Sequence, residues 1–409
     1  MILLSHPTAN QNVRQTALAL AEAGLLEEFW TCVDWKRGGF LDRSLSLLPR
    51  TRRELRRRSF PAELKPFIKT FPWREWGRLI SGRIGLGSLA QHETGFFSMD
   101  AVYHSLDRHV AHRLSSGGNI KAVYAYDDAA LESFRIARNR GMKCIYEHPI
   151  VYWRQVREYQ REEAALHPEW APTLGSLRDS DEKLARKDEE LALADIVITS
   201  SRFSRESLSR VPGLKADVHV IPYGAPPISN RAMAKRAGKF RVIFVGALSQ
   251  AKGLGYLLKA AARLERQIEL TLIGHRVSAL IPEQPVLDRH RWIQSLPHED
   301  LLEEISRHDV LVFPSLHEGF GLVIPEAMAQ GLVVITTSHT AGPDLIADGV
   351  DGYIVPIRSA EAIEERLVRL ITDRDLLAEM KLAARRKAAT WQWETYRQQL
   401  ASLARAVVQ

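Results

Sequence analysis

Strand and helix signals alternate along the 409 residues, pause at a stretch rich in proline and polar residues, and then start again. That pattern predicts an α/β protein made of two Rossmann-like, doubly wound halves. Length agrees, because a chain of this size exceeds one comfortable hydrophobic core and favours two domains of roughly 200 residues. At 45% hydrophobic and 26% charged residues the composition is ordinary for a globular protein, so disorder is not the default.

The elements can be justified in order. ILLSHP (2–7) has the apolar run of a short buried strand, and NQNVRQTALALAEAGL follows, whose Val13, Leu18 and Leu20 suit a helix that ends near Gly24. Further strands are expected at KAVYAY (121–126), KCIYEH (143–148), ADIVITSS (194–201) and VHVIPYG (218–224). APPISNRAMAKRAGKF (225–240) is the linker, after which RVIFVGAL, IELTLIGH, HRWIQSL, DVLVFPS and LVVITTS renew the alternation. The expected organisation is a first domain over 1–224, the linker at 225–240, a second domain over 241–390, and a helix over 391–409 that packs back on the first domain. No short-period repeat or low-complexity segment interrupts it.

Charge and cysteine usage narrow the function classes. The formal net charge is +7, but 36–83 alone holds 14 Lys plus Arg against 4 Asp plus Glu, so the basic character is local. No aromatic-interleaved recognition motif accompanies it, which argues against nucleic-acid binding. Two cysteines, Cys32 and Cys144, are too few for a disulfide framework or a four-ligand zinc site and point to a reducing, cytoplasmic compartment. No stretch approaches the roughly 18 apolar residues of a membrane span, and the start lacks the features of a signal peptide.

The segment HEGFGLVIPEAMAQG (317–331) carries the chemistry. Its Glu318 falls in the loop after the strand DVLVFPS, and Pro325 suits the first turn of a helix that bears Glu326 and stops near Gly331. Ligands of doubly wound sheets bind outside the strand carboxyl ends, where free amides favour phosphate and carboxylates accept hydrogen bonds from sugar hydroxyls. Gly319 and Gly321 permit close backbone approach. A capped helix with one acid in its first turn is the plainer alternative.

These residues resemble the E-x7-E motif of the retaining nucleotide-sugar glycosyltransferases of family 4, which have the GT-B fold. FVGALSQAKGLGYLLKA (244–260), LPHEDLLEEISRHDVLVFPS (296–315) and AGPDLIADGVDGYIVP (341–356) extend the resemblance, which is firm over roughly 190–390 and thin before 120. It implies two domains facing across a cleft, the first for an acceptor and the second for a nucleotide-diphosphate sugar. Glu326 would hold the ribose hydroxyls of the donor. Glu318 and the amides of Gly319, Phe320 and Gly321 would grip the transferred sugar and diphosphate, with Gly246 and Leu322 lining the same donor site. Lys252 would neutralise the diphosphate as it leaves, a role that suits a fixed cation. His148, at the end of a first-domain strand, stands where the family often presents a histidine toward the sugar.

One departure is plain. Many relatives carry arginine where Ala247 stands, so a diphosphate cation is missing from this strand end. Arg14, Arg202 and Arg276 are the candidates to replace it, and Asn12 and Asp127 are candidates for diphosphate or acceptor contacts. Asp127 and Asp128 more simply cap a helix. Two D-x-D triplets, 179–181 and 373–375, flank helical patterns and are expected to be solvated or capping acids, so no metal is expected. Neither is a cofactor other than the donor itself.

The expected function is therefore retaining transfer of a sugar to an acceptor hydroxyl, in cell-surface glycan or glycolipid assembly. A nucleotide-sugar epimerase of the same fold and a non-catalytic binding subunit are the alternatives. Residues 48–83 mix Arg and Lys with Phe60, Phe67, Phe71, Trp73 and Trp76, an acceptor loop or a patch for peripheral contact with anionic membrane through Arg56, Arg57 and Arg58.

Overall fold

The computed structural model describes residues 1–36, 38–44, 49–82, 84–229, 238–278, 282 and 287–409. It contains two parallel sheets. The first is built from β1 (Ile2–Ser5), β2 (Leu26–Thr31), β3 (Ile68–Thr70), β4 (Ala122–Tyr126), β5 (Lys143–Glu147), β6 (Ile196–Thr199) and β7 (Asp217–Val220) in the order β3-β2-β1-β4-β5-β6-β7. The second comprises β8 (Phe240–Val245), β9 (Ile268–Ile273), β10 (Arg291–Ile293), β11 (Val310–Phe313), β12 (Val333–Thr337) and β13 (Gly352–Val355) in the order β10-β9-β8-β11-β12-β13. The strand order reverses between β1 and β4 and between β8 and β11, the crevices where doubly wound sheets bind ligands. The two Rossmann-like halves read from the sequence are thus present.

The central strands are buried on both faces and read as unbroken apolar runs: β4, β11 and β12 have no exposed residue. β2 departs from that rule, which is why LEEFWT gave no strand signal. Its Glu28 is nearly buried because Arg113 donates to it at 2.6 Å and the Trp30 indole at 2.6 Å. β3 and β13 were likewise not anticipated. They are three- and four-residue edge strands, too short for a periodic signal.

Chain segments cross between the halves. Trp170 belongs to a short helical turn that follows helix Trp153–Leu166, yet it is 1% exposed and packs in the core of the second sheet with Phe240, Phe244 and Leu254. The C-terminal helix Trp393–Val408 lies on the first half, where Tyr396 meets Thr16 at 2.8 Å and Arg397 donates to Glu22 at 3.0 Å. Part of the expected linker, 230–237, lies outside the described residues, as do positions 48 and 83 of the basic segment. No helix of the described residues is long and apolar enough to cross a membrane.

Candidate active site

Lys252 ends a single turn, Gln250–Lys252, just beyond β8, and the helix Leu254–Arg263 starts after it. Gly253 between them has φ +70°, and a Cβ there would lie 2.0 Å from the Pro314 carbonyl oxygen, so glycine is required. This turn aims the Lys252 ammonium at Glu318, beyond β11, and the two form an ion pair. The ammonium also stands 5.8 Å from the Phe313 ring centroid. The amides of Gly319, Phe320 and Gly321 donate to no other described residue. Glu326, in the first turn of helix Val323–Ala329, accepts from His298 at 2.7 Å. That hydrogen bond raises the His298 pKa above its ordinary value, against the opposing effect of burial.

The first half closes over this site. A Cβ on Gly319 would fall 1.8 Å from the Pro149 carbonyl oxygen, so only glycine allows the approach. The Gly319 carbonyl accepts hydrogen bonds from Ser201 at 2.6 Å, Ser204 at 2.8 Å and Ser200 at 3.3 Å, three hydroxyls that follow β6. His317 meets Gln160 at 3.1 Å, and burial beside the Lys252 charge pushes its pKa down to about 3, so it stays neutral. Buried Glu163 accepts from Gln250 at 2.6 Å, Tyr256 at 2.8 Å and Arg358 at 2.8 Å. Between the halves lies a cavity of about 210 Å³ whose walls include Ile150, Lys187, Lys252, His317, Glu318 and Gly319.

On the first-half side, His148 follows β5 with 2% exposure, its Nδ1 3.4 Å from Asp127 and both ring nitrogens without a hydrogen-bond partner. Asp127 and Asp128 do not cap the next helix, Leu131–Asn139, contrary to the simpler expectation. Glu190 accepts the amides of Ala130 (3.1 Å) and Leu131 (3.2 Å), and Asp107 those of Glu132 (2.8 Å) and Ser133 (2.9 Å). With the amides already taken, Asp127 and Asp128 pair instead with the buried Lys187 ammonium. Burial would raise the Asp127 pKa, but Lys187 and His148 outweigh it and hold the carboxyl below its usual range. Glu190 is pushed up to about 8 by burial and by the charges of Asp127 and Asp128.

The remaining sequence candidates are scattered. Gly246 follows β8 at the start of the Lys252 loop, and Leu322 precedes the Glu326 helix. Asn12 donates to Tyr223 at 3.2 Å, part of a hydroxyl ring around buried Glu147 that includes Tyr124 at 2.5 Å. Arg14 donates to the Arg57 carbonyl at 2.5 Å. Arg202 is bound to Asp344 and the Pro343 carbonyl, which locks the halves together. Arg276 bridges Leu248 through the backbone and lays its guanidinium on Trp292 at 4.4 Å, next to the strand end that carries Ala247.

Of the D-x-D acids, Asp373 caps its helix, but Ser180 rather than Asp179 caps the other. Asp179 gathers with His92 and Glu93 closely enough to hold a cation. The Lys183 ammonium already stands there, 3.4 Å from Asp179 and 2.8 Å from Asp100. Part of the basic segment is engaged within the fold: Arg52 and Arg56 pair with buried Asp42, and Arg58 and Arg78 with buried Glu75.

Lys252 and Glu318 thus meet beyond β8 and β11, while Glu326 lines a separate cavity with His298. Residues 228–387 match the family described as Glycosyl transferases group 1. The group 1 match takes in Lys252, Glu318 and Glu326 and stops short of every first-half residue. Over 164 residues the chain is 30% identical to the amylovoran biosynthesis glycosyltransferase AmsK of Erwinia amylovora, a match covering 37% of this chain and 40% of that one. The chain spans 40% to 60% of the length of such curated relatives. Sucrose-phosphate synthase from Thermosynechococcus elongatus superposes with a TM-score of 0.68 at 19% identity, over 99% of this chain and 98% of that one. Anabaena Alr3699/HepE, solved with UDP and glucose, gives 0.62 at 16% identity over 99% of each. These likenesses extend over both halves, and the fold is the GT-B fold.

Proposed function

We propose that this chain is a glycosyltransferase that moves a sugar from a nucleotide-diphosphate donor to an acceptor hydroxyl, with retention at the anomeric carbon. The observation that carries the reading is the Lys252–Glu318 ion pair at the switch point of the second sheet, inside the group 1 match. Breaking the bond between the anomeric carbon and the diphosphate oxygen leaves the electron pair on that oxygen. Lys252 and the open amides of 319–321 stabilise the charge as it forms. The departing diphosphate takes the proton of the acceptor hydroxyl, and the acceptor oxygen bonds to the anomeric carbon on the face the diphosphate leaves. Glu318 fixes Lys252 and the sugar hydroxyls, Glu326 the ribose, and His148 turns toward the sugar. Arg276 is the arginine best suited to the role that Ala247 lacks, since the fold brings it to that strand end.

Metal-independence belongs to the same reading, because the Lys183 ammonium stands at the acidic cluster around Asp179. So does peripheral membrane contact, in altered form. Arg56 and Arg58 are engaged by Asp42 and Glu75, whereas Trp73, Ile80, Ile84, Leu86, Phe96 and Met99 are all exposed within one 27-residue stretch. Apolar side chains so grouped favour an interfacial surface. Replacing Ile84 and Leu86 by Ser is expected to reduce co-sedimentation with anionic vesicles more than replacing Arg56 and Arg58; the reverse order would return the contact to the arginines.

The primary test is release of nucleoside diphosphate from a panel of UDP-, GDP- and ADP-sugars, with and without EDTA, followed by proton NMR of the product anomer. One base and sugar should be turned over, EDTA should change little, and the anomeric configuration of the donor should be kept. An inverted product, or a hexose released with no glycoside formed from any acceptor, would contradict transfer with retention.

A further inference from the structure

A second cavity, of about 400 Å³, opens at the carboxyl ends of β1 and β4, the switch point of the first sheet. Ile150 lines both this cavity and the one that holds Lys252 and Glu318, so a molecule in one abuts a molecule in the other. One wall is aromatic: His6 meets Tyr126 edge-on at 4.6 Å and Tyr103 at 5.9 Å. Burial lowers the His6 pKa to about 4, so the imidazole is uncharged there.

The lining is also acidic. Asp100, Asp127 and Asp128 belong to it, while the one ammonium among its described residues, that of Lys183, is held by Asp100 at 2.8 Å and by Asp179. No described guanidinium lines the cavity. Asp127 is engaged by Lys187 and by the Tyr146 hydroxyl at 2.9 Å. Asp128 differs. One of its oxygens is 2.9 Å from Lys187, but Oδ1 is buried without any hydrogen-bond partner. About a fifth of the Asp128 side chain is nonetheless exposed, and it lines this cavity.

We propose that this cavity holds the sugar that receives the transferred group, that this sugar is uncharged and rich in hydroxyls, and that the Asp128 carboxylate accepts one of its hydroxyl hydrogens. The inference rests on the glycosyl-transfer reading and deepens it. An aromatic wall suits the apolar face of a pyranose ring, and hydroxyls supply the donors that acceptor-only carboxylates need. A phosphate or carboxylate on the same sugar would stand against Asp100 and Asp128 with no arginine to receive it, and like charges at such range are rejected. Relatives named for phosphorylated sugars, such as sucrose-phosphate synthase, would therefore be poor guides to the acceptor.

Saturation-transfer NMR on the full chain, loaded with whichever nucleoside diphosphate the release assay selects, tests this. The probes are the methyl α-D-glycosides of glucose, mannose and galactose and the 6-phosphates of the same hexoses. At least one neutral glycoside should bind saturably, with its phosphorylated counterpart about tenfold weaker. Asp128→Asn, which tolerates the φ of +67° at this position and leaves Lys187 paired with Asp127, should keep the fold by circular dichroism and weaken the neutral glycoside about fivefold. Asp128→Lys should narrow or reverse the preference against phosphate. A wild-type protein that prefers the 6-phosphates, binds none of the neutral glycosides, or loses nothing as Asp128→Asn overturns the proposal. If no nucleotide sugar is turned over, glycosyl transfer itself fails, a result distinct from phosphate preference in an active enzyme.

Discussion

The two sides of the cleft are built by different means. On the second-half side, the residues proposed to meet the donor come from two short stretches, 246–253 and 318–326, each running off the end of a central strand. On the first-half side, His6, Asp100, Asp127, Asp128, His148, Lys183 and Lys187 come from five separate places in the chain and meet only because β1, β4, β5 and two helices converge. On the proposed reading, donor recognition is a property of loops, and acceptor recognition a property of the assembled domain. A change on the donor side should therefore act on chemistry while leaving the fold intact, and one on the acceptor side should disturb a network of buried charge.

The sharpest contrast is expected from Lys252→Ala, which should lower turnover by about 10²–10³-fold with the fold retained by circular dichroism. Arg202→Ala should cost far less, because its guanidinium serves Asp344. If Arg276→Ala proved the most damaging change, the leaving-group charge would be met there instead.

The contact between the two sides can be broken at one atom. Gly319→Ala inserts a methyl 1.8 Å from the Pro149 carbonyl and displaces the clamp of Ser201 and Ser204. A displacement of this size should reduce kcat by about a hundredfold while nucleoside-diphosphate binding survives. Small-angle scattering should report a larger radius of gyration, and an unchanged radius with normal kcat would show that closure is not held at this point.

A smaller effect separates the two glutamates. Glu326→Ala is expected to weaken donor binding about tenfold through the lost ribose contact, whereas Glu318→Ala should act mainly on turnover. Wild-type kinetics for either variant would remove its assigned role.

The smallest effect concerns pH. The His298 pKa is raised in the folded state by its hydrogen bond to Glu326, so its contribution to stability is fully present below the ordinary value of 6.5 and disappears as pH rises through the higher folded value. The pair is half-exposed, so the contribution is screened and small. His298→Gln should flatten the melting temperature between about pH 6 and 8 relative to the wild type.

How much of this was legible follows from the same contrast. Glu318, Lys252 and Glu326 could be singled out as candidates because motif, strand end and helix start lie within a few residues of one another, and the fold pairs the first two. The alternation of strands and helices likewise disclosed two doubly wound halves. The strand with Glu27 and Glu28 was hidden, since the charge that makes burial of Glu28 tolerable, that of Arg113, lies 85 positions away. Capping by Glu190 and Asp107 was hidden for the same reason: the helix they serve begins 59 and 24 residues away. The clamp on Gly319 left no signal either, as Ser200, Ser201 and Ser204 look like an ordinary capping cluster. Runs of arginine at 52–58 suggested a basic surface, but Asp42 and Glu75 fold beneath several of them and leave the apolar side chains of 73–99 as the more exposed feature.

Calorimetric titration of the wild type and of Lys252→Ala with UDP, GDP and ADP tests the central claim most directly. The account predicts saturable binding of one nucleoside diphosphate to the wild type, weakened about tenfold or more in Lys252→Ala. Equal affinity in the two proteins, or binding of none of the three, would contradict a diphosphate site at the Lys252–Glu318 pair.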